Sequence, residues 1–140
     1  MRPDFQLFLH VLGAISLFGA VGAVAVMGLA ARRVPEPRPL AAGALAATLF
    51  VAVPAWVVTY AFGYWTKSKE GLSANVNWVK LPVGIAHAGV IVLLAMAALA
   101  YSWLRRPAST RQPLVLGLLC VGYILALGVA WWAMTAKVPA

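Results

Sequence analysis

The chain has 140 residues, of which 64% are hydrophobic and 10% charged, and its formal net charge is +8. Soluble domains are usually about 45–50% apolar and about 25% charged. This composition excludes a soluble globular domain, a disordered tail and a disulfide scaffold. The positive charge does not indicate nucleic-acid binding, because the basic residues lie between long apolar segments and form no stripe along a helix. The sequence is therefore typical of a small integral membrane protein.

Four apolar segments are long enough to cross a bilayer, which takes about 20 residues of helix. They are residues 5–31, 40–65, 81–104 and 114–134, and none has Asp, Glu, Lys or Arg in its interior. Because lipid offers the backbone no hydrogen-bond partners, each segment is predicted to be a helix. The connections are short. We therefore predict an all-α fold in which residues 1–140 form one transmembrane domain. This domain is predicted to be an integral membrane four-helix up-down-up-down bundle.

Individual spans carry further signals. The first is too long for the apolar region of a signal peptide and has one basic residue before it, so we expect it to be retained. Pro54 lies inside the second span and is predicted to kink it. Pro82 lies in the first turn of the third span, where its missing N–H is tolerated.

The basic residues predict the orientation of the bundle. Lys and Arg concentrate in short cytoplasmic loops. Six arginines occupy the two short connections, which we therefore place in the cytoplasm. The bundle is expected in the cell (inner) membrane of a bacterium, with both termini and the 66–80 loop on the outer side of that membrane. The six are Arg32, Arg33, Arg38, Arg105, Arg106 and Arg111, and the opposite side carries Arg2, Lys67, Lys69, Lys80 and Lys137.

Two histidines are the most informative polar residues within the spans, since ionisable side chains are costly in a membrane. His10 lies five residues after the start of the first span, and His87 lies six after the start of the third. With a rise of about 1.5 Å per residue, each is roughly 8–9 Å inside its helix. The first and third spans run in the same direction, so both imidazoles are expected at the same depth near the outer face.

This placement suggests a haem b with two axial histidines, His10 and His87, as its metal ligands. The first and third spans are diagonal partners in an up-down bundle, roughly 11–14 Å apart. Two imidazoles can bridge that distance through one iron. Small neighbours of each histidine, Gly13 and Gly84, would let a flat ring approach the helices, and the walls would come from the second and fourth spans: Tyr60, Tyr64, Trp131 and Met134.

Other interpretations of the histidines stay open. Each can instead bond to a carbonyl on a neighbouring helix and contribute only to packing. The protein would then be a cofactor-free accessory or assembly subunit. A copper site is a further alternative, as is a metal or small-solute carrier, although no span contains the carboxylate that ion-coupled carriers usually need.

An enzyme in the ordinary sense is not expected, because the sequence has no Ser/His/Asp arrangement and no HExxH motif. The expected partners are the lipid bilayer and a membrane redox partner or larger complex. Gly-containing spans also favour close contact with a second copy, so a homo-oligomer is a further expectation.

Two stretches carry a family resemblance: the opening "LFLHVLGAISLFGA" and the later "VPAWVVTYAFGYWTKSKEGL". Both resemble small bacterial four-helix membrane proteins related to the CopD-type copper-resistance domain, including uncharacterised actinobacterial members. The resemblance covers the first two spans and the loop after them. It implies a four-helix membrane fold and marks His10 as the histidine of the family's first helix. CopD-type proteins carry additional histidines and methionines that this chain lacks.

The orientation is tested by labelling single cysteines in a Cys120→Ser background. We expect Ser73→Cys, in the 66–80 loop, to react with a membrane-impermeant thiol reagent in intact cells, and Ser109→Cys, in an arginine-containing loop, to be protected. The opposite pattern would reverse the predicted topology.

Overall fold

The described part of the chain is entirely helical apart from its connections. The computed structural model describes residues 5–69 and 77–136. Its long helices are α1 (Phe5–Ala30), α2 (Arg38–Ala47), α3 (Val53–Lys69), α4 (Asn77–Arg105) and α5 (Arg111–Ala136). A π-helical turn at Thr48–Ala52 joins α2 to α3, so these three elements form one span. Four spans result, each long and apolar enough to cross a membrane, and the predicted four-helix membrane bundle is confirmed.

Helix ends differ from the predicted span ends on one side of the bundle. The second span was predicted to end at residue 65 and the third to begin at 81, whereas α3 continues to Lys69 and α4 begins at Asn77. Hydropathy marks the point where an apolar segment ends. Helical hydrogen bonding can continue through polar residues until a breaker such as Gly or Pro intervenes. The helices therefore extend past the apolar segments into the 66–80 connection.

The spans are arranged around a ring in chain order. Each packs against its sequence neighbours, and α1 also packs against α5. α1 and α4 make little contact, so the first and third spans are diagonal partners. α4 packs more closely on α2 than on α3. The second and third spans consequently separate toward the end at which α3 stops and α4 starts.

Pro54 accounts for the irregular turn within the second span. Proline has no N–H, and its ring clashes with the carbonyl four residues earlier. The preceding turn widens, and the N–H of Val53 bonds to the carbonyl of Thr48, five residues back. The Thr48 hydroxyl, which is fully buried, donates to the carbonyl of Ala44 at 2.8 Å. Next to Pro54, where the sequence predicts a kink, the second span contains a π turn, a known way for helices to absorb such a disruption.

Glycines set the closest contact between α1 and α5. A Cβ added to Gly28 would lie 2.7 Å from the carbonyl oxygen of Pro113 and 3.0 Å from the amide nitrogen of Gly117. One added to Gly117 would lie 2.8 Å from the side chain of Leu29. Since lipid tails are as apolar as leucine, helices in membranes associate largely through close packing of this kind.

Gly28→Ala should therefore destabilise the bundle. Its methyl group meets backbone that cannot rotate away, and we expect a loss of about 1–3 kcal/mol, the usual cost of overpacking. Gly19→Ala is the matched control, because a Cβ there has no neighbour within 4 Å. Thermal unfolding of the two variants in detergent provides the measurement, and equal melting temperatures would contradict the assigned contact.

Candidate functional site

Both histidines bond to neighbouring positions of α3. His10 Nδ1 lies 2.7 Å from the backbone oxygen of Thr59, and His87 Nε2 lies 2.7 Å from the hydroxyl oxygen of Tyr60. Thr59 and Tyr60 are consecutive, so the two imidazoles lie at nearly the same depth, as the sequence predicts. We call this end of the molecule, with His10, His87 and the residues they bond to, the histidine end.

The contact of His10 defines its tautomer. A backbone carbonyl oxygen only accepts hydrogen bonds, so Nδ1 carries the hydrogen and donates it to Thr59. A neutral imidazole then has its lone pair on Nε2. Histidines that bind metals usually donate their second ring N–H to a carbonyl or carboxylate in this way. Histidines that serve only to join two helices can make the same bond.

Two glycines allow α1 and α3 to approach closely around His10. A Cβ on Gly13 would lie 2.7 Å from the hydroxyl oxygen of Thr59, and one on Gly63 would lie 2.8 Å from Cε1 and Nδ1 of His10. The sequence suggested that Gly13 leaves space for a flat ring. Instead α3 occupies that space, because Thr59 lies directly opposite Gly13. Gly63 was not predicted, although it follows Thr59 by four residues and so shares its face of α3.

His87 lies against a row of aromatic side chains on α3. Trp56, Tyr60 and Tyr64 are spaced four residues apart, with ring centroids 5.0 Å apart for the first pair and 4.9 Å for the second. The Tyr60 and His87 rings are 5.4 Å apart, and the indole N–H of Trp56 donates to the carbonyl of Ala86 at 2.9 Å. These side chains bridge α3 and α4 where the helix backbones separate. Trp56 was not predicted, although its position one turn before Tyr60 could have indicated it.

One side of His87 is open. The imidazole is exposed at the protein surface, and a Cβ on Gly84, one turn earlier, would have no neighbour within 4 Å. Ile91, one turn later, is 72% exposed. This face of α4 is therefore accessible from the surrounding membrane, and no neighbouring side chain fills the space beside Gly84.

The remaining predicted residues lie on α5. Trp131 is 67% exposed and Met134 is partly buried. A side chain as exposed as Trp131 does not wall an enclosed pocket. α5 packs on α1 and α4, whereas the aromatic row is on α3. The structure therefore brings Tyr60 to His87, places Tyr64 beside Tyr60, and leaves Trp131 at the protein surface.

The donor set available to a metal is small. Within residues 5–69 and 77–136, no group of three or more His, Cys, Asp or Glu side chains converges. Two imidazoles suit a metal whose other ligands come from a prosthetic group, such as the iron of a haem.

Comparison with models of protein families, with curated proteins and with solved structures finds no match to this chain.

Gly63→Ala should displace the His10 ring and weaken its bond to Thr59, since the added methyl would overlap the imidazole. We expect a loss of stability of about 1–3 kcal/mol and a shift of the His10 ring nitrogen signals in the nuclear magnetic resonance spectrum. Gly84→Ala is the control and should leave both unchanged. An unaltered His10 signal in the Gly63 variant would refute the contact.

Proposed function

We propose that this protein is a small membrane cytochrome b, or the haem-binding subunit of a larger redox complex, with His10 and His87 as axial ligands at the histidine end. The observation that carries the proposal is the bond from His10 Nδ1–H to the Thr59 carbonyl. It holds the ring in the tautomer with an Nε2 lone pair, which is the ligating form. The matching depth of His87 supports the same conclusion.

The surroundings fit such a group in part. Diagonal helices about 11–14 Å apart leave room for two imidazoles and one iron between them. On the α4 side, Gly84 has no neighbour in the way. On the α1 side, Gly13 and Gly63 are packed, so His10 is held firmly but has little free space. On His87, Nε2 would hold the iron, and this atom is hydrogen-bonded to the Tyr60 hydroxyl in the structure.

Each residue then has a definable role. Thr59 orients His10, and Tyr60 holds the ring of His87 in place through its hydrogen bond. Tyr64, whose ring lies beside that of Tyr60, would border the site at the end of α3. When bound, haem supplies one-electron transfer, and its potential is tuned by the axial ligands and by their hydrogen bonds.

A second candidate function comes from the same two hydrogen bonds. Because each histidine already has a partner on α3, both can act purely as interhelical contacts in a cofactor-free accessory or assembly subunit. In this case His10 and His87 contribute to stability alone.

The visible spectrum of protein purified from haem-replete cells tests the first proposal. We expect a Soret band and split bands on reduction, as for low-spin iron with two histidine ligands. His10→Ala and His87→Ala should each abolish the low-spin spectrum, while Tyr101→Phe, at the other end of the bundle, should retain it. A colourless, metal-free wild-type preparation would overturn the haem proposal.

Tyr60→Phe separates the two candidates. If His87 binds iron, removal of the hydroxyl releases Nε2, so haem content should be kept or increased. If His87 only joins helices, the variant loses one interhelical bond, worth about 0.6 kcal/mol on average in membranes, and gains no absorbance. Haem content and melting temperature are measured on the same samples.

A further inference from the structure

The end of the bundle opposite the histidines carries a concentration of arginine. We call it the arginine end; it comprises Arg32, Arg33, Arg38, Arg105, Arg106 and Arg111, all of which are exposed. None of the four lysines of the chain lies in these two connections. The two sides of the protein therefore differ in the kind of cation as well as in its number.

Helix packing brings the two arginine connections together. The close contact of Gly28 with Pro113 and Gly117 joins the end of α1 to the start of α5. Arg32 follows Gly28 by one helical turn, and Arg111 precedes Pro113 by two residues. The backbones of the two arginine connections are consequently held near one another where α1 ends and α5 starts.

Within the part of the chain that the structure describes, no ion pair neutralises these charges. Glu36 is the one acidic residue in the two connections. Over residues 5–69 and 77–136, none of the six arginines takes part in an ion pair. Arg105 lies over the ring of Tyr101, 5.8 Å from its centroid, which places this cation beside an aromatic side chain of the membrane boundary. Neighbouring like charges destabilise a fold unless an anion binds between them.

We propose that the arginine end binds the phosphate groups of anionic phospholipids. The guanidinium group offers a planar pair of donors that matches two phosphate oxygens, whereas a lysine ammonium acts as a point charge. The cations lie where the apolar spans end, which is the depth of the headgroups. The six arginines therefore form a site for lipid headgroups that is independent of the histidine end.

The test uses three variants of the full chain. The first variant combines Arg32→Gln, Arg33→Gln and Arg111→Gln. The second replaces the same three arginines with lysine. The third, a matched control, combines Lys67→Gln, Lys69→Gln and Lys80→Gln. Each is purified from membranes containing phosphatidylglycerol and phosphatidylcholine, and the retained lipids are quantified by mass spectrometry. Binding in detergent does not depend on how a variant was oriented in the cell.

We expect retention of phosphatidylglycerol to fall about fivefold for each arginine replaced by glutamine, the factor that corresponds to about 1 kcal/mol per basic residue. The arginine-to-lysine variant should retain an intermediate amount, and the lysine control should match the wild type. Equal retention by all variants would overturn the proposal, and equal retention by the arginine-to-lysine variant and the wild type would overturn the role of the guanidinium group.

Melting temperatures provide a second measurement. Phosphatidylglycerol added to delipidated protein should raise the melting temperature more than phosphatidylcholine does, and this difference should shrink in the glutamine variant. Inorganic phosphate at the same concentration should have little effect. If phosphate alone reproduces the rise, the site binds free anions and the lipid assignment fails. If the triple variant does not fold, Arg111→Gln and Arg111→Lys are compared instead.

Discussion

Close packing of α1 against its two neighbours is the constraint on which the remaining features depend. Within lipid, apolar surface gains little by moving from lipid to protein, so helices hold together where their backbones can approach. Glycine allows this approach, and α1 uses it twice. Gly13 meets Thr59 on α3, and Gly28 meets Pro113 and Gly117 on α5. The first contact positions His10 against α3, and the second brings the two arginine connections together.

The second span adds an asymmetry to this framework. Because Pro54 cannot complete the helical hydrogen bonding, the chain makes a π turn, and α2 stays close to α4 while α3 separates from it. Trp56 and Tyr60 then reach across to Ala86 and His87. Whereas α1 and α3 pack closely around His10, the polar contacts between α3 and α4 thus lie where those two backbones separate. A ligand can enter there with less disruption than in the small-residue core.

The two ends of the bundle present different chemistry. At the histidine end, Nε2 of His87 is hydrogen-bonded to the Tyr60 hydroxyl, and the haem proposal requires this same atom to bind iron instead. At the arginine end, the charged side chains are exposed, and none of them takes part in an ion pair within the described residues. The two proposals are therefore independent: loss of haem binding would leave the lipid site intact, and the reverse also holds.

The sequence by itself determined the fold class and the approximate spans, because apolar length and the exclusion of charge from lipid leave few alternatives. It also placed His10 and His87 at one depth, since that follows from counting residues along parallel helices. Near the 66–80 connection the helices extend beyond the predicted spans, because polar residues can continue a helix past the apolar segment.

Only the tertiary structure decided what each side chain touches. From the sequence of α1 alone, Gly13 is expected to leave free space beside the helix. In the structure, Thr59 of a neighbouring helix occupies that space. Gly63 and Trp56 were not predicted at all, since their roles depend on the rotation of α3 about its own axis. Composition identifies a cationic, apolar chain, and the contact of Gly28 with Gly117 brings the backbones of its two arginine connections together. Hydropathy is a property of one segment at a time. A binding site depends on which faces several helices turn toward one another, and the sequence of a single segment does not contain that information.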